Sequence, residues 1–347
     1  MGRSLMTFRT DVKRNGAVLL SPLVCCDGFD PDRKIRVQSH IHSDHMNDFD
    51  RSKGKQYILM SNATKDLLIS DIDYDIEYRK NIISMNDEGK YKINNTEIKF
   101  KPSGHMLGSV QTQVTHEDGY KTGYSSDFSY PLTNGVLKCN ELVVDSTYST
   151  PRKQTWPIEE IIKTIYDRID DKLDQNSIII QGFRGRLEYA MELIGIRYPD
   201  TIMIATENPY KNASVHRNYG YNIPKLILEG TEQSDEIHKA DKNFIKFIEL
   251  HETPTVANRR FYKIYLSSHL CYDEPIIDYN EHWCKIALTD HAGFDDVIKY
   301  IKDTKCEKVV TDSSRGGNAL ELARHIKNIL GIEVRPASLR KSNKWGD

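Results

Sequence analysis

Short alternations of apolar and polar residues dominate the first 150 positions, and helical spacing takes over after them. A two-residue period marks a half-buried strand. It predicts strands over 17–20, 35–39, 56–60, 97–100 and 110–115. Glu117-Asp118-Gly119-Tyr120 supplies a hairpin turn into a strand over 121–125, and Leu142-Val143-Val144 reads as a short buried strand. One early helix is predicted over 61–70, with Ser61 as its cap. Beyond about residue 151, Ile158, Ile161, Ile162, Ile165 and Ile169 form a helical stripe across 157–169. A strand over 177–181, a helix over 186–196 and a strand over 201–205 follow, an alternation that implies a small parallel sheet. A further helix is expected over 239–250. From about 266 the strand–helix order returns, with a helix over 295–303, a strand over 308–311 and a helix over 318–330.

Composition narrows the class. A chain of 347 residues is long enough for two domains or one large one. Residues AVILMFWYC make up 38%, and glycine raises the apolar share to about 44%, just under the usual range. Charged residues reach 28%, yet the net charge is only −2 and the pI is about 6.6. No global basic field draws in a polyanion, so any such partner must be held by local clusters or by metal. The start of the chain has no apolar signal segment and no run is long enough to span a bilayer; no membrane association is expected. Six cysteines (Cys25, Cys26, Cys139, Cys271, Cys284 and Cys306) show no CxxC spacing. A reduced, cytoplasmic setting is the expectation. Adjacent Cys25 and Cys26 read as buried small apolar residues, with metal ligation as the alternative.

One hexapeptide changes the picture. His40-Ile41-His42-Ser43-Asp44-His45 packs three imidazoles and a carboxylate into a single turn after the expected 35–39 strand. Packing does not call for that density, whereas neutral imidazole and carboxylate are the donors that zinc and its neighbours prefer. A metal held there needs further ligands from elsewhere. His105 lies between Gly104 and Gly108 in a stretch that can turn sharply, and Asp127 follows a strand. Taken singly, such a histidine is ordinarily a surface or core residue and such an aspartate a turn residue.

These residues carry a resemblance. His40-x-His42-x-Asp44-His45, then Gly104-His105, then Ser126-Asp127, resemble the metallo-β-lactamase fold. Val144-Asp145-Ser146-Thr147-Tyr148, Gln181-Gly182-Phe183-Arg184-Gly185-Arg186 with Glu188, and Thr289-Asp290-His291-Ala292-Gly293-Phe294 resemble motifs of the β-CASP nucleases within that fold. Gly28-Phe29-Asp30-Pro31 and Asp290-His291-Ala292 are most similar to the ligase- and helicase-associated DNA exonucleases of that group. The resemblance spans roughly residues 17–330.

It implies an α/β fold, an αββα sandwich with an inserted α/β cap. The sandwich would take residues 1–150 and 266–347, and the cap 151–265. It implies two zinc ions, with Mn²⁺ as an alternative cation. His40, His42, His105 and Asp127 would hold the first; Asp44, His45 and shared Asp127 the second. Asp312, in Val309-Val310-Thr311-Asp312, stands where the pattern has histidine, and would complete the second site. Asp44, Asp145 and His291 would be catalytic, with His291 as general acid or phosphate donor and Asp145 orienting it. Asp30 would accept from a ligand histidine and fix its tautomer. Arg184 and Arg186 at a helix start would grip phosphate; Arg259-Arg260 with Lys263 forms a second basic cluster. Each cluster reads equally as a solvated charge pair.

The implied activity is hydrolysis of a phosphodiester in DNA, 5′→3′ from an end, by a hydroxide activated between two zinc ions. The missing histidine favours DNA over RNA, and a DNA ligase or helicase is the implied partner. The alternatives are an RNA-processing endo- or exoribonuclease, a metal-free scaffold, and a small-ester or thioester hydrolase. A scaffold would have lost ligands. An ester hydrolase would not need a cap of ~115 residues at its mouth.

Overall fold

The computed structural model describes residues 8–72, 75–240, 242–252, 261–268 and 274–339. Arg259, Arg260 and Cys271 lie outside the described residues. The chain is mixed α/β, with three multi-stranded sheets and seven α-helices among the described residues. It divides into two compact units. The first comprises 1–68, 74–153 and 291–347; the second comprises 69–73 and 154–290.

The first unit is built on two sheets. One runs in chain order through Asp11–Val12, Val18–Leu19, Val24–Cys26, Ile35–Val37, Tyr57–Ser61 and Ile82–Met85, antiparallel at its start and parallel from Val24 onward. The other has the order Glu333–Pro336, Lys308–Asp312, Glu141–Asp145, Lys121–Tyr124, Val110–Thr115, Thr96–Pro102 and Lys90–Ile93. Val24, Ile35, Val37 and Leu59 of the first sheet pack with Phe100, Val110, Val143 and Val310 of the second in one core. Strand alternation then sends Leu142, Val144 and Val309 to the other face, where they meet the helices Phe294–Thr304 and Ala319–Leu330. The Glu117–Tyr120 turn joins two antiparallel strands, and its Gly119 has φ 80°. Ser61 Oγ accepts from Thr64 N at 3.0 Å, the cap expected for the helix Asn62–Ile72.

The second unit is one sheet with the order Ile227–Leu228, Met203–Ala205, Ile245–Glu249, Ser177–Gly182, Phe261–Leu266, Trp283–Ile286 and Ile276–Asn280. All pairings are parallel except the last. Ile161, Ile165 and Ile169 of the helix Ile158–Lys172 pack on Ile178, Ile180 and Ile264. The unit reaches Asp290 rather than ending at 265, because the two strands after Leu266 continue its sheet.

The expected 239–250 helix is not formed. A helix ends at Lys239, and Ile245–Glu249 is a strand between two parallel neighbours. Every residue of Ile245–Glu249 is buried, so both faces need apolar or paired side chains. A run of that length has no periodicity that tells strand from buried helix, and the sheet decides it. No helix among the described residues is long and apolar enough to cross a membrane.

Candidate metal centre

The hexapeptide follows the Ile35–Val37 strand, and buried side chains on and just after that strand shape it. Arg36 is fully buried, and its Nη2 donates to Gln38 Oε1 at 2.8 Å and to the His45 carbonyl at 3.1 Å. Gln38 Nε2 donates to the carbonyls of His40 at 2.7 Å and His45 at 3.1 Å. Both ends of the turn are thereby tied to one guanidinium–amide pair. The turn that carries His105 is tied to the same place, since Val110 N donates to the Ser39 carbonyl at 3.1 Å. Gly108 has φ 78°, and a Cβ there would lie 2.6 Å from Thr64 N. Its carbonyl accepts from Ser61 Oγ and Thr64 Oγ1, which fixes the turn against the start of the helix.

Donor atoms of His40, His42, His105 and Asp127 lie within 4.8 Å of one another, and all four residues are buried. His42 Nδ1 is 3.0 Å from His105 Nε2. Asp127 Oδ2 is 3.6 Å from His105 Nε2 and 3.8 Å from His40 Nε2. Four ligands about 2.0–2.1 Å from a tetrahedral zinc lie about 3.3–3.4 Å apart, the middle of that range.

The hydrogen bonds set the tautomers that a metal needs. Asp27 is fully buried; it accepts from Ser39 Oγ at 2.6 Å and from Ser39 N at 2.7 Å. The Ser39 hydroxyl proton is thus committed, so His40 Nδ1, 3.0 Å from Ser39 Oγ, is the donor of that pair. Neutral His40 then turns the lone pair of Nε2 towards Asp127, and Nε2 is buried without a hydrogen bond. Burial holds the His40 imidazole well below its ordinary range, reinforced by the neighbouring imidazoles. His45 Nδ1 lies 2.8 Å from the same Asp27 carboxylate, and its Nε2 lies 3.2 Å from Asp127 Oδ1. Burial opposes the charge on His45, but Asp127 and Asp27 outweigh it and raise the imidazole to about 10. Asp127 is likewise held well below the carboxylate range: burial works against ionisation, and His45 more than offsets it. A buried neutral imidazole lone pair facing a fixed carboxylate fits a divalent cation.

Of the second expected set, His45 meets Asp127, but Asp44 and Asp312 do not close a donor group around that pair. Asp44 is half exposed, with Oδ2 3.9 Å from His45 Nε2. Asp312 is buried, and both its oxygens are engaged: Oδ1 accepts from Ser314 N at 2.7 Å and Oδ2 from Arg315 Nη1 at 3.1 Å. Burial raises the Asp312 carboxyl against the pull of Arg315.

Beside Asp127 lie His291 and Asp145. His291 Nδ1 is 3.6 Å from Asp145 Oδ2, and its Nε2 is 4.0 Å from Asp127 Oδ2. Asp145 Oδ1 accepts from Thr147 N and Oγ1, which leaves Oδ2 towards the imidazole. Asp127, Asp145 and His291 form a second group of mutually close donors.

Asp30 stands elsewhere. It is fully buried, pairs with Lys13 Nζ at 2.6 Å and accepts from Asp32 N, so it orients no ligand histidine. Asp27 does so instead. Cys26 pairs in register with Val37, which puts Asp27 level with Gln38, next to the hexapeptide. The sequence signal was Cys26-Asp27-Gly28, an aspartate at a strand end before glycine.

Arg184 and Arg186 meet carboxylates within the second unit. Arg184 binds Asp71 at 2.5 Å and Glu249 at 3.3 Å; Arg186 Nε is 3.4 Å from Asp290 Oδ2. Glu188 accepts from Gly185 N and closes that helix start. The described cysteines are buried and unbridged, and burial pushes the Cys25 thiol up to about 11.

Replacing Asp27 by asparagine is expected to weaken zinc binding about 10- to 100-fold, since it removes the carboxylate that orients two imidazoles. Titration against a chromogenic chelator measures it. Unchanged affinity in a folded variant would show that Asp27 does not set the ligands.

No family profile matches the chain. A stretch of 106 residues, 30% of this chain and 76% of the other, is 26% identical to an Acidianus ambivalens protein named "Uncharacterized protein in lig 3′ region". Among solved structures, an Enterococcus faecalis V583 protein of unknown function is similar in fold, with TM-score 0.57 and 13% identity over 80% of this chain and 74% of that one.

Proposed function

We propose that this chain is a metal-dependent phosphodiesterase of the metallo-β-lactamase fold, with a β-CASP-like insertion, that cleaves DNA. The observation that carries the reading is the buried convergence of His40, His42, His105 and Asp127, with the His291–Asp145 pair beside it and the His291 ring 4.8 Å from that of His105. The two-sheet core with helices on the outer face of one sheet is compatible with the sandwich.

His40, His42, His105 and Asp127 would hold Zn²⁺ or Mn²⁺. When bound, the cation supplies Lewis-acid stabilisation of a phosphoryl group and acidifies water. The protein supplies the rest. Asp27 fixes His45 directly and His40 through Ser39. His291, oriented by Asp145, is placed to donate a proton to the departing oxygen from Nε2. Asp127 keeps a negative charge between the imidazoles, paired with a charged His45 until a cation enters the pocket.

The case for DNA over RNA comes from the motif resemblance, and the relative's location in a lig 3′ region supports it. A ligase or helicase partner and 5′→3′ polarity belong to the same reading. End-labelled single-stranded DNA and RNA, incubated with protein and zinc or manganese, are expected to give a DNA ladder shortening from the 5′ end. Cleavage of RNA alone would move the substrate to RNA. No cleavage of either by fully metallated protein would end the nuclease reading.

A further inference from the structure

We infer that this chain holds one divalent cation rather than two, with the Arg315 guanidinium standing where a second would be expected. The inference rests on the metal reading above and concerns the donors beside it. Arg315 is drawn into the first unit by four contacts. Nη1 donates to Asp312 Oδ2 at 3.1 Å and to Ser314 Oγ at 3.3 Å, Nη2 to the Gly16 carbonyl at 2.5 Å, and Nε to the Asp44 carbonyl at 3.1 Å. Its side chain is 6% exposed. It therefore consumes the carboxylate that would complete a second site and grips the backbone of the residue that would open one.

The surroundings are built for that guanidinium. A Cβ on Gly16 would lie 2.6 Å from Arg315 Nη2, so only glycine leaves room for it. A Cβ on Gly317 would lie 1.7 Å from the Ser146 carbonyl, so the loop that carries Arg315 is pressed on the chain just after Asp145. Asp312 pairs in register with Asp145 across two parallel strands. A fixed positive charge there balances carboxylates that a second cation would otherwise balance, and it repels such a cation. Once inside, Arg315 also positions the hexapeptide through the Asp44 carbonyl.

Metal content separates the possibilities without reference to activity. Chelated protein is dialysed against zinc, then manganese, and assayed by elemental analysis, with circular dichroism as a check on folding. One equivalent is expected in the wild type, in Asp312→Ala and in Arg315→Lys, which keeps the charge. Two are expected in Arg315→Gln, which frees Asp312 and removes the like charge. Two equivalents in the wild type, falling to one in Asp312→Ala, would overturn the inference. So would a folded Arg315→Gln protein that still holds one. If Arg315→Gln does not fold, the wild-type and Asp312→Ala counts decide. No bound metal in the wild type is a different failure and removes the metal reading itself.

Discussion

An Asp127→Ala protein is expected to lose metal binding and the proposed phosphodiesterase activity together. Asp127 is the residue on which the others converge, with His45, His105, His40 and His291 nitrogens 3.2, 3.6, 3.8 and 4.0 Å from its oxygens. Removing it leaves buried imidazoles with no anionic donor among them. Substituting an outer partner of a ligand typically costs 10- to 100-fold in affinity, so losing a direct ligand should cost more than about 100-fold. Cleavage should fall below detection. The variant should stay folded, because Asp127 lies in a loop after the Lys121–Tyr124 strand and contributes nothing to the apolar cores. Elemental analysis and a cleavage assay on one preparation test both halves. Full activity in a protein that no longer binds metal would sink the proposed chemistry.

His291→Ala is the complementary case. His291 is absent from the compact four-donor group, so the metal should be retained. Turnover should drop about 10²- to 10⁴-fold, the usual worth of a positioned general acid. Asp145→Asn should slow the reaction in the same direction and by less, since the imidazole stays and only its orientation suffers. Loss of metal on removing His291 would instead make it a ligand, and an unchanged rate would leave proton delivery to another group.

Much of this centre was legible because its densest part is local. The hexapeptide declares itself in six consecutive residues, and the strand before it follows from alternation. His105 and Asp127 came from resemblance and from the turns that hold them. What could not be read depends on register and on partners far along the chain. Asp30 was the natural carboxylate to choose, lying before Pro31, but pairing of Cys26 with Val37 brings Asp27 to the hexapeptide and leaves Asp30 to Lys13. Arg315 meets Asp44 across 271 positions, a contact no spacing rule foresees. Arg184 read as a phosphate anchor because its partners, Asp71 and Glu249, are distant in sequence. The strand Ile245–Glu249 does not show itself in the sequence because Lys246 and Glu249 are buried in ion pairs with Glu229 and Arg184, partners that no local spacing reveals.

The order in which the parts are drawn from the chain has a consequence during synthesis. The four-donor group is complete once Asp127 has emerged, whereas His291 arrives only after the whole second unit has been made. The Lys308–Asp312 strand that flanks Asp145 follows later still. The sheet that leads into Asp127 is nevertheless finished only by Glu141–Asp145 and Lys308–Asp312, so the four-donor pocket and the His291–Asp145 pair take their final form together, after the second unit has been made.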